Sequence, residues 1–184
     1  MEHKMHPDCL EMVYTQEQLA ERVAELGKQL TADYRGKDLL VIGLLKGSLI
    51  FMSDLIRAMD VDMAIDFMVV SSYGDSTTSS GNIKINLDIK RDLKGKHVLL
   101  VEDILDTGTT LSFIRDLIRL RQPESVKICT LLDKDKVVAR KVDIQADYVG
   151  FPVDDRFIIG YGLDYAQKYR NLPYIAVLKP EAYA

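Results

Sequence analysis

The sequence predicts an α/β fold, a mainly parallel twisted sheet flanked by helices. Two observations carry this. Short, continuously apolar runs such as Asp38–Leu44 and His97–Glu102 have the composition of strands buried on both faces. Stretches with apolar residues at helical spacing lie between them, and strands alternating with helices build a parallel sheet.

After a polar start, Thr15 to about Leu30 reads as a helix. Thr15-x-x-Gln18 is a capping box, and Leu19, Val23, Leu26 and Leu30 form one apolar stripe. Asp38–Leu44 is too short and too apolar for a surface helix, so it reads as a strand. Lys46-Gly47-Ser48 interrupts it, and Leu49–Met59 resumes a helical pattern. Met63–Val70 and, beyond a polar gap, Ile85–Ile89 suggest two further strands. His97–Glu102 is the strongest strand candidate, followed by a helix from about Thr110 to Leu120 and an apolar run at Val126–Leu132. Short extended pieces are expected at Tyr148–Phe151, Phe157–Tyr161 and Tyr174–Leu178.

A chain of 184 residues, 47% hydrophobic and 28% charged, has the size and composition of one folded domain. Its 28 acids against 24 bases give −4, which argues against broad attraction to nucleic acid or anionic membrane. Cys9 and Cys129 are far apart and without a C-x-x-C, so neither a disulfide framework nor a zinc site is supported. Met1–Leu10 lacks the apolar core of a signal peptide. Leu39–Leu45, the longest apolar stretch, is far short of the ~20 residues needed to cross a bilayer. The expectation is a soluble, cytoplasmic protein. Gly43-Leu-Leu-Lys-Gly-Ser48 lacks P-loop spacing, Gly160-Tyr-Gly162 lacks a third glycine, and His3, His6 and His97 form no metal motif. Residues 71–82, rich in Ser, Thr and Gly, read as a mobile loop, either of no consequence or an active-site lid.

The densest chemical signal runs from Val98 to Thr110, Val-Leu-Leu-Val-Glu-Asp-Ile-Leu-Asp-Thr-Gly-Thr-Thr. A buried strand ends in adjacent carboxylates, Glu102 and Asp103, and Asp106 opens a turn of small hydroxyl residues and glycine before a helix. Ligands of open α/β sheets bind at the carboxyl ends of strands. A helix N-terminus offers unpaired N–H groups to an anion, and Gly108 permits close approach while Thr107, Thr109 and Thr110 add hydroxyls. Carboxylates repel a phosphate unless they contact hydroxyls or a cation, so a phosphorylated sugar with Mg²⁺ suits both halves. A simple helix cap by Asp106 or Thr107 is the plainer alternative.

These thirteen residues resemble the phosphoribosyl-pyrophosphate signature of type I phosphoribosyltransferases. The chain from about Leu39 to Leu178 is similar, segment by segment, to the hypoxanthine-guanine phosphoribosyltransferases. The resemblance implies a type I phosphoribosyltransferase fold in one domain, with a small purine-binding hood formed by the N- and C-terminal segments and a mobile loop at about 71–82. It implies Mg²⁺-dependent transfer of the phosphoribosyl group to hypoxanthine or guanine, giving IMP or GMP and pyrophosphate. It further implies a homo-oligomer, a dimer or tetramer, with no nucleic-acid or membrane partner.

Carried over by residue, the resemblance implies that Glu102 and Asp103 hold the ribose hydroxyls and Mg²⁺, and that the backbone of Asp106, Thr107, Gly108, Thr109 and Thr110 cradles the 5′-phosphate. Asp106 would be the general base at the purine N7, a role a carboxylate within hydrogen-bond reach can fill. Leu45-Lys46-Gly47 resembles the pyrophosphate loop, where a cis peptide bond is characteristic, and Arg170 matches an arginine that approaches pyrophosphate. Ser72-Tyr73 resembles the pair at the tip of the catalytic loop. Lys134 matches the lysine that reads the 6-oxo group; an ammonium has donors only and meets an amino group badly. Tyr148 would stack on the base, the Val149 backbone would bond its pyrimidine edge, and Asp155, in the same purine-binding stretch, aligns with the second Mg²⁺ ligand. A nucleic-acid-binding regulator of the same fold is the rival reading, against which stand the acidic charge and Asp106. Lys134 and the Asp147–Phe151 segment speak against adenine and pyrimidines; xanthine stays open.

Overall fold

The computed structural model describes residues 4–73, 82–134 and 141–183. In chain order the elements are β1 (Cys9–Tyr14), α1 (Gln16–Tyr34), β2 (Leu39–Leu45), α2 (Leu49–Ala58), β3 (Met63–Tyr73), β4 (Asn82–Leu87), β5 (His97–Leu105), α3 (Thr109–Arg119), β6 (Ser125–Asp133), β7 (Tyr148–Pro152), β8 (Ile158–Ile159) and β9 (Ile175–Leu178). The α/β prediction holds. A six-stranded sheet in the order β4-β3-β2-β5-β6-β7 is parallel except for β4, which runs antiparallel to β3.

The apolar runs alternate between two cores. Leu39 and Val41, with Leu99 and Val101, face α1 and α2, meeting Leu26, Leu30, Phe51 and Leu55. Leu40 and Ile42, with Val98 and Leu100, face α3, meeting Leu111, Ile114 and Ile118. Both faces of these central strands are therefore covered, which is why their sequence lacks polar alternation. The capping box at Thr15 forms as expected, with Thr15 and Gln18 each accepting from the other's backbone N–H. The helix extends one turn past Leu30 because Tyr34 continues the buried stripe.

The strand predicted over His97–Glu102 continues to Leu105, since Glu102, Ile104 and Leu105 still register with Thr130, Leu132 and Asp133 of β6. β1, given no element in the sequence reading beyond a polar start, pairs antiparallel with β9, and β8 completes a second, three-stranded sheet. Two register shifts in the β1–β9 ladder break the alternation that would have marked β1 as a strand. No helix among the described residues is long and apolar enough to cross a membrane. Residues 74–81, the greater part of the expected mobile loop, lie outside the described residues.

Candidate active site

A cavity of about 330 Å³ opens at the carboxyl end of β5, lined among others by Gly47, Glu102, Asp103, Asp106 to Thr110, Asp164 and Arg170. Its floor is the β5–α3 passage. Gly108 takes φ +81° immediately before the helix, a conformation an L side chain rarely adopts. The first turn of α3 thus begins directly at the cavity, and its leading N–H groups have no partner within the helix. Thr109 Oγ1 is buried with no hydrogen-bond partner among the described residues. An unpaired buried hydroxyl is costly and suits a site awaiting an acceptor.

Above this cradle stand the two acids. Glu102 Oε2 is likewise buried and unpartnered among the described residues. Burial, reinforced by the neighbouring Asp103, holds its carboxyl well above the ordinary range. Burial also pushes Asp103 up to about 6, although the Ile104 N–H and the Arg170 guanidinium favour its ionised form. The Ile104 N–H donates to Asp103 Oδ1 at 2.8 Å. Both carboxyls are removed from water with incomplete compensation, a setting that hydroxyl donors or a cation would complete.

Two loops form the facing wall. After β2 the Leu45–Lys46 peptide is cis, within the stretch where the resemblance anticipates one. A Cβ at Gly47 would collide with the Asp103 carboxylate, so glycine is what lets this loop reach the acids. Lys46 Nζ donates to Gln167 Oε1 at 3.1 Å. From the loop between β8 and β9, Arg170 donates to the Gly162 carbonyl at 2.7 Å and pairs with Asp164 at 2.6 Å.

On the far side of the sheet's carboxyl edge, Lys134 is 8% exposed. Its ammonium lies 3.0 Å from Asp155 Oδ1. Three expectations need correction here. Tyr148 does not offer a face to a ligand: its ring is buried in the core, and its hydroxyl donates to Asp33 at 2.6 Å and accepts from Lys127 at 3.0 Å. It is level with Cys129 on β6, five residues before Lys134, a distance of about 16 Å along a strand. The Val149 carbonyl is taken by Arg22 Nη2 at 2.8 Å, and the adjacent Gly150 carbonyl by Arg22 Nε at 2.9 Å. Asp155 is bound to Lys134 and does not line the cavity of Glu102 and Asp103; the acid that does is Asp164. Ser72 and Tyr73 have their backbone in β3, and their side chains lie outside the described residues.

The model of the phosphoribosyl transferase domain matches residues 10–166. The chain belongs to the phosphoribosyltransferase family. It is 51% identical over 179 residues to the hypoxanthine-guanine phosphoribosyltransferase of Bacillus subtilis, covering 97% of this chain and 98% of that one. The crystal structure of a hypoxanthine phosphoribosyltransferase from Staphylococcus aureus superposes with a TM-score of 0.94 at 50% identity, covering 100% of this chain and 99% of that one. The bifunctional protein TilS/HprT of Listeria innocua is 51% identical over 98% of this chain, which spans only 28% of that protein's length.

Within this phosphoribosyltransferase site, two residues escaped the sequence reading. Asp164 sits in a Gly-Leu-Asp turn six residues before Arg170, and the ion pair between them was the missed signal. Phe157 is 41% exposed, two residues beyond the partner of Lys134, stacked on Tyr183 with centroids 5.1 Å apart. A large exposed ring, two residues along the chain from the carboxylate that holds a nearly buried ammonium, marks a ligand surface better than a core tyrosine does. The donor set also fits Mg²⁺. Among the described residues no cluster of three or more acids, histidines or cysteines is arranged to hold a metal alone. Buried acids with an unpartnered oxygen suit an ion that takes one or two carboxylates and completes its shell from phosphate oxygens and water.

Proposed function

We propose that this chain catalyses Mg²⁺-dependent transfer of the 5-phosphoribosyl group from phosphoribosyl pyrophosphate to hypoxanthine or guanine, giving IMP or GMP and pyrophosphate in cytoplasmic purine salvage. One observation carries the proposal: a phosphate cradle with an unpaired hydroxyl adjoins two desolvated acids in a single cavity. The cradle alone would suit any phosphate, and the acids alone any polyol or cation. Together they suit a phosphorylated ribose carrying a second, metal-binding phosphate group.

In this reading the backbone from Asp106 to Thr110 and the Thr109 hydroxyl hold the 5′-phosphate. Glu102 and Asp103 accept from the ribose hydroxyls, and their charge favours the positive character that develops at C1′. The Lys46–Gly47 loop and Arg170 receive pyrophosphate. Bound Mg²⁺ would neutralise the leaving pyrophosphate, with Glu102, Asp103 and Asp164 the acids at hand. The purine nitrogen bonds to C1′ as the C1′–oxygen bond to pyrophosphate breaks, and Asp106, on the cavity wall, takes the proton the purine sheds at N7. Lys134 has three donors; Asp155 takes one, and the 6-oxo group accepts from another. Phe157 stacks on the base. The β1–β9–β8 sheet acts as the hood of a single domain, the segment led by Ser72 and Tyr73 acts as the lid, and the chain assembles as a dimer or tetramer.

The test is an absorbance assay with phosphoribosyl pyrophosphate and Mg²⁺, offering hypoxanthine, guanine, xanthine and adenine in turn. Turnover of hypoxanthine or guanine that requires Mg²⁺, with adenine inert, is the expected result. Turnover of adenine at a comparable rate refutes the Lys134 readout. Absence of turnover with every base refutes the transferase.

A further inference from the structure

The loop between β8 and β9 carries Asp164 and Arg170; Tyr161 and Leu163 pack it into the main core, and Tyr165, Tyr169 and Leu172 pack against the core of the three-stranded sheet. It is folded on itself by backbone hydrogen bonds: Tyr161 N to Leu172 O at 2.9 Å, Gly162 N to Arg170 O at 3.0 Å, and Lys168 N to Tyr165 O at 2.9 Å. Four of its non-glycine residues, Tyr161, Ala166, Gln167 and Tyr169, have φ between +50° and +74°. Such backbone is unfavourable for L residues and persists only where its surroundings over-determine it.

Beyond this packing, the loop is tied to the chain by polar contacts, among them the Tyr169 hydroxyl, which donates to Asp8 at 2.7 Å. Lys46 reaches Gln167 across the solvent-exposed rim. A Cβ on Gly162 would collide with the Gly47 carbonyl, so the two loops touch there. A further tie is buried. Tyr161, 7% exposed, donates its hydroxyl to Asp54 Oδ2 at 2.6 Å. Asp54 lies on α2, the helix that begins immediately after Lys46-Gly47-Ser48, and its other oxygen pairs with Arg57. Behind this bond runs a cavity of about 270 Å³ lined by Ile50, Asp54, Tyr161 and Arg170 among others. Core packing holds the Tyr161 ring, and the hydrogen bond to a carboxylate that also pairs with Arg57 fixes where its hydroxyl sits on α2. Burial, with the neighbouring carboxylate, raises the phenol further above its ordinary value, which keeps it a donor through any working pH.

We propose that Tyr161 and Asp54 form a positioning latch that fixes the Asp164–Arg170 loop against the Lys46–Gly47 loop, and so sets the pyrophosphate half of the site without touching substrate. The inference rests on the transferase reading for its kinetic consequence only. Both loops must present their groups to one pyrophosphate, and small misplacement of a binding group is expensive in rate and affinity. The base half of the site, built from Lys134 and Phe157, meets the loop at Tyr165, whose ring packs edge-on against Phe157 with centroids 5.6 Å apart, rather than at Tyr161 or Asp54.

The test compares Tyr161→Phe, Asp54→Ala, Asp54→Asn and the double variant Tyr161→Phe/Asp54→Ala. Tyr161→Phe is expected to raise KM for phosphoribosyl pyrophosphate, and for pyrophosphate in the reverse direction, by about tenfold. KM for hypoxanthine stays within about twofold, because stacking and the Lys134 contact are untouched. Asp54→Ala behaves alike, and the double variant is no worse than either single one. Asp54→Asn keeps an acceptor oxygen and recovers most of the affinity. By hydrogen–deuterium exchange, amides of 162–170 exchange faster in Tyr161→Phe while those of β2 and β5 do not. Parallel rises in both KM values, or additive single variants, overturn the latch in favour of general softening. Unchanged exchange at 162–170 overturns it as well. Should the wild-type chain turn over no purine, the transferase reading fails, and the exchange comparison still decides the latch.

Discussion

Two aromatic residues compete for the role of purine platform, and paired substitutions separate them. Phe157→Ala removes an exposed ring and leaves the sheet intact; Tyr148→Phe removes one buried hydroxyl and leaves the ring. Loss of a base–aromatic stack costs about 1–3 kcal/mol, so Phe157→Ala is expected to raise KM for hypoxanthine roughly 5- to 150-fold. KM for phosphoribosyl pyrophosphate should stay near wild type. Tyr148→Phe instead strands Asp33 and Lys127, both bonded to the missing hydroxyl. Asp33 is exposed and Lys127 half-buried, so water replaces part of the lost partner and the cost is that of an ordinary hydrogen bond, about 0.5–1.5 kcal/mol, which for a chain of this size lowers Tm by about 1–6 °C. Its purine KM is expected to be unaltered. Steady-state kinetics with hypoxanthine and thermal unfolding by differential scanning fluorimetry read both axes. A Tyr148→Phe variant with wild-type Tm and a purine KM raised tenfold or more would refute the assignment of the two rings.

The other predictions concern acids. Asp155→Asn weakens the hold on Lys134 and is expected to raise KM for hypoxanthine several-fold at unchanged Mg²⁺ dependence, whereas Asp164→Asn shifts the Mg²⁺ concentration for half-maximal rate; a titration of Mg²⁺ at fixed substrate distinguishes them. Asp106→Ala is expected to lower kcat about 10²–10⁴-fold, as loss of a general base does, and activity within a few-fold of wild type removes that role. Asp103 is held at about 6 in the folded protein against 3.8 for an ordinary aspartate. The folded state therefore keeps its proton to higher pH than the unfolded chain, and ligand-free stability falls as pH rises from about 4 through 6. Asp103→Asn removes that loss: it is expected to raise the Tm of the ligand-free protein at pH 8 while abolishing turnover, and an unchanged or lowered Tm there counts against the desolvated acid.

Residues that act where a regular element ends were legible in the sequence. Glu102 and Asp103 follow an unbroken apolar run within β5, and Asp106 to Thr110 pass straight into a helix, so chain continuity alone fixes their neighbourhood. Lys134 closes a strand in the same way. The central sheet was legible for the same reason, because double burial leaves a continuous apolar run that needs no partner to be read. β1 was not, since it owes its strand character to β9, over 160 residues away, and to a ladder with two register shifts.

The misread residues share one physical cause. Tyr148-Val149-Gly150 and Phe157-Ile158-Ile159-Gly160 look alike in sequence, each an aromatic opening a short apolar piece before glycine. What separates them is register. Tyr148 enters the sheet beside Cys129, at the middle of β6, while Phe157 lies beyond the end of β7 in the segment whose Asp155 meets Lys134. Pairing partners set that difference, and composition carries no record of it. Asp155 and Asp164 differ in the same manner: both are acids in turns, but only one belongs to a loop bent back by positive φ and bonded through Tyr161 to the helix that follows Lys46-Gly47-Ser48. Chemistry placed by continuity can be read along the chain, and chemistry placed by long-range contacts needs the contacts. In this fold the phosphate half of the site is of the first kind and the loop bearing Asp164 and Arg170 is of the second, which is why the latch that holds it is where the sequence is silent and the geometry is not.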